Sequence, residues 1–126
     1  MRALRTTVVI LALMLVTVST GAAQPLAPLV AGWDQYFSVH SRPAMRDGRS
    51  VGSGTIWNVS GWGARRIQLL VEGLDDNGQP VSQRLVWLGA DLPAGAHAYF
   101  EAPLPASTSY RVRVFAFNLE TNAGPR

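Results

Sequence analysis

The chain contains no cysteine, and all 11 of its basic residues are arginine, so lysine is absent too. Without thiols it has no disulfide framework, no CxxC redox centre, no thiolate zinc site and no covalently attached haem. The lack of a cysteine after the N-terminal segment also argues against a lipid-anchored lipoprotein. Complete use of Arg in place of Lys points to the coding bias of a GC-rich bacterium rather than to a site. Histidine is scarce: only His40 and His97 could act as a general base. No G-x-S-x-G elbow occurs, so no nucleophilic triad is legible. Two distant histidines without thiols make no convincing metal site, even with Glu101 nearby.

No apolar run reaches the ~20 residues that span a bilayer. The longest, Val8 to Val18, follows Arg2 and Arg5 and precedes the small residues Thr20-Gly21-Ala22-Ala23. That order is the pattern of a cleaved signal peptide over residues 1–23. The expected product is an exported, periplasmic or secreted chain from Gln24 with no stable membrane anchor. The formal charge of +3 owes two of its positive members to that segment. Basicity therefore indicates no nucleic-acid partner. About a hundred remaining residues suffice for one domain with its own core.

Helical periodicity is also missing after residue 23. Gln24-Pro25-Leu26-Ala27-Pro28 reads as an extended leader over 24–34, because its prolines forbid a helix. Six segments show strand chemistry: about Gln35 to Ser41, Val51 to Val59, Arg66 to Leu74, Val81 to Leu88, Ala96 to Glu101, and Tyr110 to Leu119. Arg42-Pro43 is expected to break the first, and Pro103 and Pro105 the fifth. Asp75-Asp76-Asn77-Gly78 is a hairpin signal, since Asn-Gly accepts positive φ. It has three oxygen ligands but lacks the Glu at position twelve of a calcium loop. Gly52-Ser53-Gly54 is no phosphate loop, because a strand follows it. Short alternating strands at this spacing predict an all-β, immunoglobulin-like antiparallel β-sandwich of six to seven strands over 35–119, with 120–126 as a tail. Leu29 to Trp33 is the candidate for a seventh strand.

Several of these pieces resemble FxLYD-type and related bacterial immunoglobulin-like domains. Gly54-Thr55-Ile56-Trp57-Asn58 is similar to their G-x-I-x-N strand, and Val71 to Val81 to their strand, Asp-rich turn and return strand. Leu92-Pro93-Ala94-Gly95 with Phe100 resembles their L-x-P-G…F step, and Tyr110 to Val114 their closing strand. Val71 and Leu74 stand where the name-giving aromatic residues would be. The resemblance implies a fold and an extracytoplasmic setting, an interaction or structural role, and no catalytic residue.

The aromatic residues carry the functional reading. Four Trp, three Tyr and four Phe all follow residue 23. With Tyr110, Val112 and Val114 inward, alternation turns Phe115 and Phe117 outward, and Leu70 and Leu74 likewise on the third strand. Leu70, Leu74, Phe115 and Phe117 are thus the expected partner-binding patch, unless the leader covers them or a β-bulge exchanges the faces. The leading expectation is a non-enzymatic protein-interaction module or accessory subunit in the bacterial periplasm. Its partner is an envelope protein or a second copy, and no cofactor is expected. The alternative is a carbohydrate- or small-ligand-binding module that stacks ligand on Trp57, Trp62 and Trp87. His97, Tyr99 and Glu101 share one strand face and read as a solvent-facing polar row.

Overall fold

The computed structural model describes residues 25–104 and 109–120. The expected signal peptide at 1–23, Pro105 and the tail from residue 121 lie outside the described residues. Six strands form: β1 Phe37–Arg46, β2 Arg49–Asn58, β3 Gly63–Leu74, β4 Pro80–Trp87, β5 His97–Pro103 and β6 Ser109–Glu120. They make two three-stranded antiparallel sheets, β1-β2-β5 (sheet 1) and β4-β3-β6 (sheet 2). Each sheet corresponds to strands expected from alternation. Leu29 to Trp33 is not a strand, because Trp33–Gln35 closes a 3-10 turn after the positive φ of Gly32.

Alternation explains the core. Ile67 and Leu69 of β3 meet Ile56, Phe100, Phe37 and Val114 from the other strands, with Ala64 and Leu92 at one end. Each such large side chain contributes roughly 1.5–3 kcal/mol by leaving water. The β3–β4 hairpin turns at the expected place. Asp75 Oδ1 accepts from the backbone N–H groups of Asn77 and Gln79, both at 2.9 Å, and Gly78 has φ 78. Backbone geometry is therefore the first use of this acidic turn.

Two expectations fail for identifiable reasons. β1 does not stop at Arg42-Pro43 but continues to Arg46 and pairs along its length with β2. Pro43 is tolerated because β1 is a sheet edge, where a missing N–H costs no ladder bond. The turn that closes this hairpin is Asp47-Gly48, with φ 53 and φ 78, the paired positive values a two-residue hairpin requires.

The second failure concerns the face of Phe117. Leu69 pairs with Val114 and Gln68 with Ala116, which leaves Phe115 as an extra residue on β6. A matching irregularity surrounds Arg66, at φ 53, on β3. An extra residue reverses side-chain alternation beyond it. Val112 and Val114 face the core before the bulge, and Phe117 and Leu119 pack against it afterwards. Phe117 meets Phe37 edge-on, with ring centroids 4.8 Å apart, and Tyr36 at 5.6 Å. It is a core residue and not part of an outer patch.

The leader is a strap. The Leu26 N–H donates to Gln83 Oε1 (2.7 Å), Gln83 Nε2 donates to the Leu26 carbonyl (2.8 Å), and the Leu29 N–H donates to the Phe115 carbonyl (2.8 Å). Gln83 lies on β4 and Phe115 on β6, so the segment crosses β3. Three extended residues reach ~10 Å, which matches two strand spacings. On this outer face of sheet 2, Leu70 and Phe115 are buried and Leu74 is half-buried.

Candidate functional site

The expected patch of Leu70, Leu74, Phe115 and Phe117 is therefore not an exposed surface. Leu70 and Phe115 do point away from the core, as alternation requires, but they are buried on the face the strap crosses. Phe117 is on the inner side. Beneath the strap sits Glu72, fully buried. Its Oε1 accepts from Arg111 Nε and Arg113 Nε, both at 2.9 Å, and its Oε2 from Gln83 Nε2 at 2.8 Å. Burial pushes the Glu72 carboxyl up, but the hydrogen bonds from Arg111 and Gln83 and the charges of Arg113 and Arg111 outweigh it. The net result lies below the ordinary Glu range. Arg111 and Arg113 thus neutralise this buried charge.

The outer face of sheet 1 is different. Strand register builds three rows across it: Ser38–Trp57–His97, His40–Thr55–Tyr99 and Arg42–Ser53–Glu101. Trp57 is 42% exposed and Tyr99 is 78% exposed. The Trp57 and His97 rings stack at 4.3 Å with 31° between planes, and Tyr99 stands at 87° to His97 at 5.5 Å. These side chains are neighbours because β2 and β5, separated along the chain by β3 and β4, pair in register. Arg46 reaches across β2 to Glu101, an exposed ion pair that holds the Glu101 carboxyl below its usual range. A shallow depression of about 370 Å³ lies on this face, lined by His40, Arg42, Ser53, Thr55 and Tyr99.

The three tryptophans do not converge on one platform. Trp57 belongs to the row just described, Trp62 lies between β2 and β3, and Trp87 ends β4 in sheet 2. All three are exposed. Ser38 Oγ lies 2.9 Å from His40 Nε2, the atoms of a hydroxyl–base pair. No carboxylate orients His40 among the described residues, so the third member of a nucleophilic constellation is missing. Among the described residues no group of three or more His, Asp or Glu could hold a metal ion.

Two polar residues that organise this architecture escaped the sequence reading. Asn58, 1% exposed, donates from Nδ2 to the carbonyls of Trp62 (2.7 Å) and Leu92 (2.9 Å), and its Oδ1 accepts from Ser60. Its place on the Gly54-Ile56-Asn58 face, which is inward, was the available signal. Glu72 had a comparable one, as an acid flanked by apolar residues in a strand. The row around Tyr99 needed the Asp47-Gly48 turn, which sets β1 against β2 and brings His40 and Arg42 beside Thr55 and Ser53. Models of protein families, curated proteins and solved structures were all compared with the chain, and none matches it.

Proposed function

We propose that this chain is an exported, non-enzymatic β-sandwich that serves as an interaction module or accessory subunit of a bacterial cell envelope, engaging its partner through the outer face of sheet 1. The observation that carries the reading is the inequality of the two outer faces. One is crossed by the chain's own strap, whereas the other presents Trp57, His97 and Tyr99 to solvent. Exposed aromatic rings beside arginine can stack on a partner's flat groups and pair with its anionic ones. The strand order supports an immunoglobulin-like arrangement, with strands one, two and five in one sheet and three, four and six in the other. The FxLYD-type resemblance belongs to the same proposal.

Export rests on the Arg2, Arg5 and Val8–Val18 pattern. The absence of enzymatic function is supported by the isolated Ser38–His40 pair and by a flat face instead of a deep pocket. Ligand stacking by Trp57, Trp62 and Trp87 as one set is disfavoured by their distribution, although Trp57 borders the depression on sheet 1. The test is a Trp57→Ala/Tyr99→Ala double variant in the producing cell, followed by chemical cross-linking. Loss of the cross-linked complex with an unchanged melting temperature is expected. An undiminished complex would contradict the assignment of this face.

A further inference from the structure

We infer that the depression beside Tyr99 binds an acidic polysaccharide, taking one uronate-type sugar unit with its carboxylate at Arg42 and its ring against Tyr99. This rests on the proposed use of the outer face of sheet 1 and names the partner that the face fits. Strand alternation puts Arg42, Arg46 and Arg49 on this face, with Glu101 as its one carboxylate. Arg46 occupies Glu101, whereas Arg42 is exposed and has no carboxylate partner among the described residues. A planar guanidinium left open in this way suits bidentate pairing with a carboxylate. Tyr99 offers a broad apolar ring for the C–H face of a sugar, with a hydroxyl for its rim. Ser53, Thr55 and His40 complete the lining with groups that can exchange hydrogen bonds with sugar hydroxyls.

The same inventory disfavours a protein partner here. The buried centre of a protein interface is about 65% apolar, yet the strand residues of this face include no exposed Leu, Ile, Val or Met, and the exposed Val59 lies just beyond the end of β2. Its Val51 is already buried, and its other neighbours between the aromatic rows are polar or small. A shallow, open site also fits a polymer that continues past it better than a free small molecule, which favours enclosure.

The experiment measures binding of the purified full chain to polygalacturonate, with neutral dextran and polyglutamate as comparisons. Binding to polygalacturonate alone is expected, weakened about tenfold or more by Arg42→Ala and by Tyr99→Ala. Arg84→Ala, on β4 of the other sheet, should leave it unchanged. Equal binding of polyglutamate would show that charge alone acts and would overturn the inference, as would equal binding of dextran. No binding of polygalacturonate, or binding insensitive to both site variants, would overturn it too. If an envelope protein then cross-links through Trp57 or Tyr99, the polysaccharide falls and the proposed face stands. If cross-links arise only from sheet 2, both fall.

Discussion

Asn58 and Glu72 are the two buried polar side chains among the described residues, and both join segments that the sheets alone would leave apart. Asn58 ties the end of β2 to the turn at Trp62 and to the Leu92 segment. Removing its amide leaves carbonyls without a donor, at a cost of about 1–3 kcal/mol for each group left buried. Asn58→Ala should therefore lower unfolding free energy by about 2–4 kcal/mol in urea titration. Glu72 joins β3, β4 and β6 and, through Gln83, the strap. Losing hydrogen bonds to a charged group costs about 1.5–3 kcal/mol, which is the expected effect of Glu72→Gln at pH 7. The pH dependence has a definite sign. The folded carboxyl sits below its unfolded value, so its stabilisation is present above the unfolded pKa of about 4.3 and disappears as pH falls through the folded one. Stability of the parent protein should fall in that acid window, and Glu72→Gln should flatten the decline. An equally steep decline in the variant would place the acid sensitivity elsewhere.

Among the strands, what sequence reveals depends on how local its cause is. The β3–β4 hairpin is written in Asp75 to Gly78, where one carboxylate and one glycine build the turn. The β1–β2 hairpin was equally local, in Asp47-Gly48, but Pro43 concealed it, because proline's exclusion from strands lapses at an edge. The inward set Ile67, Leu69 and Val71 follows from period two. Phe117 does not, because the extra residue at Phe115 is created by pairing with β3 and leaves no mark in β6 itself. Leu70 and Phe115 lie on the side of the sheet that alternation requires, and of the two outcomes it leaves open there, an exposed patch or cover by the leader, they are found buried on the face the leader crosses. A proline-containing leader gives no periodic sign that it will cross that sheet, and the evidence lies in a glutamine side chain far along the chain. Deleting residues 25–32 should uncover Leu70 and Phe115, lower stability by about 3 kcal/mol and raise binding of a hydrophobic dye. Unchanged stability and dye binding would mean that the strap contributes nothing to their burial.

The molecule as a whole is two sheets around one core with unlike outer surfaces. Sheet 2 has its own chain drawn across it over a neutralised carboxylate, and sheet 1 leaves rings, hydroxyls and arginine in water. Binding is expected to follow this difference. The most direct measurement places a photoreactive phenylalanine analogue at Tyr99 in one version of the protein and at Leu85, exposed on β4, in another. Each is then illuminated in the producing cell. A high-mass cross-linked product is expected from position 99 and little from position 85. A product from position 85 alone would contradict it, because the strapped sheet would then be the binding surface.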